Sequence, residues 1–388
     1  MSQIKTTRNK INYNPIVVIA LKHDVVDIHL EKDLVQIPLT FSKIGFITYF
    51  IVNSISNLKF NNINILELRS TNILKKFYAT FVFIRKIKPK IIFTYYLWHD
   101  QVFFNIIVNI IRKIQKSNNY LIVKLDYDGN LRAVSLKKKV PLLLLKLLFF
   151  FNAITADLVV IESNEAKKRL LSYYGRHCKK ILDKKTYVMP NGLSSDTINK
   201  FRQYSDRYAR QHKIIVNSVV TERKGLYELL VALNNIKNSL DNWKIHIVGP
   251  IQDHEYYSRL IDYIRKNKLE NNVVFLGKLT FEELIKEYVT SEIFILPSKT
   301  EGFSIARLNA MAACLPIITT DTGGAEIVKN CCGIVVQIDN IYELSEAIKK
   351  LIENDKLRSE YSNVACEKIK EYNWEKLIIN LINYIGIF

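Results

Sequence analysis

Residues Ser298 to Glu326 read S-K-T-E-G-F-S-I-A-R-L-N-A-M-A-A-C-L-P-I-I-T-T-D-T-G-G-A-E. They set the carboxylate of Glu301 just ahead of Gly302 and the start of a helix. A carboxylate accepts hydrogen bonds from hydroxyls, and the backbone N–H groups of a helix's first turn have no partners within the helix and attract anionic oxygens. Together they make a polar mouth suited to a ligand with both hydroxyls and phosphates, and a pattern this long points to a sugar-nucleotide site. A second candidate is Thr221-Glu222-Arg223-Lys224-Gly225, where a strand gives way to a helix and Lys224 falls where a phosphate would be cradled. Fixed cations and helix amides can stabilise a departing diphosphate without a metal, each well-aimed donor being worth about 3–4 kcal/mol in a closed site.

Two further groups sit just past strand-like runs. Leu125-Asp126-Tyr127-Asp128-Gly129 offers Asp128 as a proton acceptor for an attacking hydroxyl, with Asp126 on the acceptor side. The same D-x-D spacing holds a divalent cation elsewhere, helped by substrate phosphates. Phosphates bound near Lys224 already have a counter-charge, so no metal is assigned. His99, in Tyr95-Tyr96-Leu97-Trp98-His99-Asp100, either lines the acceptor side or is a hydrogen-bonded structural histidine.

Positioning these groups requires strand ends. Apolar runs of strand length alternate with helix-length segments, which reads as α/β with parallel, doubly wound sheets. A first series of strands falls at Ile16–Leu21, Ile63–Leu68, Lys90–Thr94, Tyr120–Leu125, Leu158–Glu162 and Thr186–Met189. A second falls at Lys213–Val220, Lys244–Val248, Val273–Leu276, Ile293–Leu296, Ile317–Thr319 and Gly333–Val336. Helices are expected over Leu226–Leu240, Tyr256–Lys268, Phe281–Val289 and Ser304–Ala313. With 388 residues the chain exceeds one ordinary core. The expected domains are 1–192, acceptor-side and basic, and 193–372, nucleotide-sugar-binding. An amphipathic final helix in 373–388 returns to the first domain. Pro190-Asn191-Gly192 closes the first series, and the polar stretch Ser194–Arg210 is read as the linker.

The net charge of +19 is unevenly placed. Residues 1–190 hold 31 Lys and Arg against 12 Asp and Glu, while residues 191–388 hold 25 of each. A basic half-molecule implies an anionic partner: lipid headgroups, lipid phosphate or nucleic acid. No basic motif with interleaved aromatics supports nucleic acid. Lys137-Lys138-Lys139-Val140-Pro141 instead leads into L-L-L-L-K-L-L-F-F-F, so Lys137–Phe151 combines charge with an apolar run too short to cross a bilayer. That helix either packs against the first sheet or lies partly inserted in an anionic membrane surface. Cys178, Cys314, Cys331, Cys332 and Cys366 show no framework or metal-site spacing and read as thiols in a reducing compartment. No signal peptide is visible, so the expected location is cytoplasmic, peripheral at the inner face of the membrane.

The ordered set of motifs resembles the family 4 retaining glycosyltransferases, group 1 type. Ala156-Asp157-Leu158-Val159-Val160-Ile161-Glu162-Ser163 and Val188-Met189-Pro190-Asn191-Gly192 open it. Arg223-Lys224-Gly225, Ile247-Val248-Gly249-Pro250, Val274-Phe275-Leu276-Gly277, Glu301-Gly302-Phe303 and Thr322-Gly323-Gly324-Ala325-Glu326 follow in family order. The resemblance implies the GT-B fold, two Rossmann-like domains facing each other across a cleft. It implies transfer of a hexose from a UDP- or GDP-sugar to a glycan hydroxyl, with no cofactor besides the nucleotide sugar. Lys224, with Arg223, would hold the donor diphosphate, and Glu301 a sugar hydroxyl. Gly249, Gly302, Phe303, Ser304 and Ile305 would face the donor, and Lys278 and Leu279 would border the base.

Four positions depart from the family pattern. Asn309 stands where a second Glu usually holds the ribose, and Ser218 stands where an Arg precedes the Lys. Lys22-His23-Asp24 replaces a glycine-rich loop, and Asp128 occupies the place of a His. The positive charge and the apolar run both fall in the acceptor half, which favours a lipid-linked glycan as acceptor. A sugar-nucleotide epimerase of the same fold, or a non-catalytic partner subunit, are the alternatives.

Overall fold

The computed structural model describes residues 15–25, 32–56, 60, 62–96, 105, 108, 109, 112, 119–125, 131, 135, 141–329 and 331–387. His99, Asp126, Asp128 and Lys137–Lys139 lie outside the described residues. The chain divides into two units. One comprises Met1–Ile161, Lys167–Met189 and Ile378–Phe388; the other comprises Glu162–Ala166 and Pro190–Leu377.

In the first unit the strands are β1 (Ile16–Val25), β2 (Thr48–Ile55), β3 (Asn64–Glu67), β4 (Ile91–Tyr96), β5 (Tyr120–Leu125), β6 (Leu158–Ile161) and β7 (Thr186–Val188). They form one parallel sheet in the order β3-β2-β1-β4-β5-β6-β7. Its core strands are rich in Ile, Val and Phe because both faces are covered by helices. Lys124 on β5 is fully buried, and its Nζ meets Asp33 Oδ2 at 2.5 Å at the start of helix Asp33–Lys43.

The second unit repeats the plan. β8 (Lys213–Asn217), β9 (Lys244–Val248), β10 (Val273–Gly277), β11 (Ile293–Leu296), β12 (Ile317–Thr320) and β13 (Gly333–Val336) run parallel in the order β10-β9-β8-β11-β12-β13. Both sheets therefore reverse direction beside their first strand, the doubly wound arrangement expected of this class.

Several elements differ from the sequence reading. β2 was not anticipated, because Asp33–Ile55 is one apolar stretch in which a helix and a strand look alike. The stretch taken as a linker holds helix Ser195–Ser205, started by Ser194, whose Oγ accepts from the Thr197 amide at 3.0 Å. Helix Leu226–Asn235 ends early and continues as a 3-10 turn at Lys237–Ser239. The final helix, Trp374–Tyr384, is shorter than expected. Its last residues belong to the first unit, where Tyr384 lies 4.6 Å from the ring of Tyr187.

Two of the five cysteines are not thiols, against the expectation from their spacing. Cys314 and Cys366 form a disulfide that ties the end of helix Ile305–Ala312 to helix Asp355–Lys368. No framework spacing signals it, since 52 residues separate two positions joined only by packing. Thiol titration of the unfolded, unreduced protein is expected to find three thiols, Cys178, Cys331 and Cys332; five would contradict the bond.

Candidate active site

In the second sheet, β8 and β11 are neighbours whose onward connections run opposite ways, so their carboxyl ends frame a topological switch point. The loop after β8 carries the 3-10 turn Glu222–Lys224, and the loop after β11 carries Pro297–Ser304 ahead of helix Ile305–Ala312. Gly225 sits between them with φ of 67°, and a Cβ there would lie 2.0 Å from the Pro297 carbonyl oxygen. Only glycine allows that approach. A backbone bond from Lys299 N–H to the Arg223 carbonyl, 2.8 Å, fastens the two loops.

This fastening brings two of the sequence candidates into contact. Lys224 Nζ lies 2.5 Å from Glu301 Oε1, and each side chain is 11% exposed. Burial pushes the Glu301 carboxyl up, but the Lys224 charge and hydrogen bond, the Ser298 hydroxyl and the Arg307 charge outweigh it. The group is held below the ordinary carboxylate range. The contribution of this pair to stability is therefore complete above the unfolded carboxylate's pKa and is lost as pH falls through the lower folded value.

Behind Glu301 lies a residue that the sequence reading passed over. Arg307 is 0% exposed. Its Nε donates to Thr319 Oγ1 (3.1 Å), one terminal nitrogen to the Gly323 carbonyl (2.6 Å) and the other to Thr322 Oγ1 (2.7 Å). Burial lowers its pKa to about 10, opposed by the charges of Glu301, Glu326 and Asp321, so the guanidinium stays charged at neutral pH. The arginine clamps the glycine turn to the Glu301 loop. A Cβ on Gly323 would fall 2.2 Å from the Gly302 oxygen, and one on Gly324 would fall 2.7 Å from the Phe303 ring. The signal available was an arginine inside the apolar stripe of a helix with no acid one turn away.

The remaining donor-side candidates are distributed around this centre. Gly249, at φ of 145°, closes against the Ser218 carbonyl, where a Cβ would stand 2.1 Å away. Its amide donates to the Gly277 carbonyl at 2.8 Å. Arg223 and Lys278 are exposed, and Leu279 is half-buried against the core. Phe303 and Ser304 are buried, while Gly302 and Ile305 are half-buried. Asn309 is buried and hydrogen-bonds Tyr288, whose hydroxyl also accepts from Asn217 Nδ2 at 3.0 Å. Near the end of the first strand series, Asn191 Nδ2 donates to Glu162 Oε1 at 2.9 Å. A Cβ on Gly192 would meet the Tyr372 oxygen at 2.8 Å. The P-N-G motif is thus a backbone crossing where only glycine fits.

A cavity of about 780 Å³ lies along the edge strand β13, lined by residues such as Gln337, Glu343, Lys349 and Lys350. It is away from the switch point and of mixed charge. Among the described residues no cluster of three His, Cys, Asp or Glu side chains is placed to hold a metal.

Two doubly wound parallel sheets in succession place the chain in the GT-B fold class. The structure of Anabaena HepE in complex with UDP-glucose superposes with a TM-score of 0.70 at 16% identity, covering 97% of this chain and 100% of that one. Residues 197–368 match the family model described as "Glycosyl transferases group 1", and over that segment the chain is similar to that family. It is 27% identical over 346 residues to an uncharacterised glycosyltransferase of Methanocaldococcus jannaschii, covering 79% of this chain and 81% of that one. A second relative is the GDP-mannose-dependent monoacylated alpha-(1-6)-phosphatidylinositol monomannoside mannosyltransferase of Corynebacterium glutamicum. It is 28% identical over 181 residues, 44% of this chain, and the chain spans about half of that protein's length, 46%.

Proposed function

We propose that this protein is a retaining hexosyltransferase. It moves a hexose from a UDP- or GDP-sugar to a hydroxyl of a lipid-linked glycan, in glycan biosynthesis. The observation that carries the reading is the Lys224–Glu301 pair, 2.5 Å apart at the switch point of the second sheet. A buried cation beside a buried carboxylate can be shared out when a sugar diphosphate arrives. Lys224 turns to the diphosphate, and Glu301 accepts from a sugar hydroxyl. The N–H groups at the start of helix Ile305–Ala312, whose cap residue Ser304 makes no side-chain cap bond, face the donor.

In the reaction the bond from the anomeric carbon to the diphosphate oxygen breaks, and a bond to the acceptor oxygen forms on the same face. The transition state is oxocarbenium-like, and the electron pair leaves with the diphosphate, whose charge Lys224 neutralises. The acceptor proton passes to Asp128. Chelation is expected to leave transfer unchanged, measured as product formed in EDTA; a clear loss would restore the metal reading of Asp126 and Asp128.

The relative that uses GDP-mannose on a phosphatidylinositol mannoside supports a lipid-linked acceptor, and the UDP-glucose complex of HepE supports a nucleotide-sugar donor. Helix Leu142–Thr155 buries Leu145, Phe149, Asn152 and Ala153, but Leu143, Leu144, Leu147, Phe151 and Ile154 are exposed. That apolar stripe, following Lys137–Lys139 in sequence, supports attachment to an anionic membrane surface at its inner face. No helix among the described residues is long and apolar enough to cross a membrane. A reducing compartment opens half-exposed disulfides. The state of Cys314 and Cys366 in protein alkylated before lysis therefore reads the location independently.

A further inference from the structure

Helix Ile73–Ile87 is built the wrong way round for a helix facing water. It buries Lys76, Thr80 and Ile84, and it exposes Leu74 and Tyr78 at 71% each and Val82 at 46%. Leu74, Tyr78 and Val82 are spaced at i, i+4 and i+8, so they form one stripe. A continuous apolar stripe turned outward marks an interaction surface.

The position of this helix follows from strand register. Phe93 on β4 meets Phe41 of helix Asp33–Lys43, with ring centroids 6.2 Å apart. Phe93 registers with Val18 on β1, and Val18 with Phe50 on β2, so Phe50 points to that same face. Its neighbour Tyr49 points to the other face. Tyr49 meets Phe83 at 5.4 Å, so helix Ile73–Ile87 covers the face opposite helix Asp33–Lys43. The crossover from β5 to β6 runs along the sheet in the reverse sense to that from β1 to β2. Right-handed connections then place helix Leu142–Thr155 on that opposite face too. Both outward-facing apolar stripes belong to one side of the first sheet.

The charge of this side names its partner. Helix Arg176–Lys185 packs against helix Leu142–Thr155, and besides the buried Lys76 these two helices and helix Ile73–Ile87 carry nine Lys and Arg and a single acid, Asp183. Helix Arg176–Lys185 also exposes Ile181. Apolar stripes ringed by cations fit the boundary between anionic headgroups and acyl chains, where each adds to the other.

We propose that helix Ile73–Ile87 is a second contact with an anionic lipid surface, acting beside helix Leu142–Thr155. The inference rests on the membrane attachment read from Lys137–Phe151 and extends it to a platform of two helices. Such a platform fixes the tilt of the first unit on the membrane, which one helix alone cannot do.

The test is sedimentation with vesicles of phosphatidylglycerol and phosphatidylcholine in equal parts, and with phosphatidylcholine alone. Two variants are compared with the unmodified protein: Leu74→Ser/Tyr78→Ser/Val82→Ser and Leu143→Ser/Leu147→Ser/Phe151→Ser. All six positions are exposed, so the fold is retained. Each variant is expected to bind the anionic vesicles about tenfold or more weakly, with binding further reduced by salt. Amide exchange in Ile73–Ile87 of the unmodified protein should slow when anionic vesicles are added. Normal binding by the Leu74/Tyr78/Val82 variant, with loss in the other, would overturn the second contact and leave the membrane attachment standing. No binding by the unmodified protein would overturn both. A dimer that the Leu74/Tyr78/Val82 variant splits, with vesicle binding unchanged, would make a second copy the occupant and also overturn the proposal.

Discussion

Lys224→Ala is expected to lower kcat/KM for transfer by roughly two hundred- to nine hundredfold, since one donor aimed at developing charge in a closed site contributes about 3–4 kcal/mol. The same substitution should reduce stability, because Glu301 would keep its burial and lose its partner; breaking a buried pair this way costs about 3–5 kcal/mol. The Arg307 charge offsets part of that cost, so the loss should fall toward the lower end of the range. The two effects separate in a second variant. Lys224→Ala/Glu301→Gln removes the stranded carboxylate, so its unfolding free energy should recover most of the loss. Transfer should not recover, since neither the cation nor the carboxylate is present. Unfolding by denaturant and initial rates on the same preparations check both. Activity returning along with stability would mean that the pair is structural and that Lys224 does not meet the donor.

Arg307→Met should be among the most destabilising single changes in the second unit, by about 3 kcal/mol or more. The side chain is 0% exposed, and its loss strips a buried partner from the Gly323 carbonyl, Thr319 and Thr322 together. Arg307→Lys should rescue little, because one ammonium cannot reproduce the planar fork that reaches three acceptors at once. Denaturant midpoints of both variants check this. A Met variant as stable as the unmodified protein would show that the glycine turn is held by the backbone contacts of Gly323 and Gly324 alone.

Much of the fold was legible because parallel sheets buried on both faces write themselves as short runs of Ile, Val and Leu separated by helix-length segments. β9, β11 and β13 fall where those runs predict. β2 was hidden because its run joins the apolar face of helix Asp33–Lys43 through Ile44-Gly45-Phe46, leaving no polar break to count from. Helix Ser195–Ser205 was hidden for the opposite reason. Its exposed face is polar, and Ile198, Phe201 and the half-buried Tyr204 anchor it to the core, so the segment reads as a loop. At the site, Lys224 and Glu301 were readable since each stands in a motif at the end of a strand. Their contact was not, because it depends on β8 and β11 being neighbours, and sequence order does not give strand order. Arg307 and the Cys314–Cys366 bond share that cause: each is a relation between distant segments.

Whether Lys224 holds an anionic nucleotide sugar can be read by calorimetric titration. UDP-sugars and GDP-sugars are titrated in EDTA against the unmodified protein and against Lys224→Ala/Glu301→Gln, the variant expected to keep its fold. One donor is expected to bind the unmodified protein and to bind the variant at least about a hundredfold more weakly. Equal affinity for both proteins would contradict it.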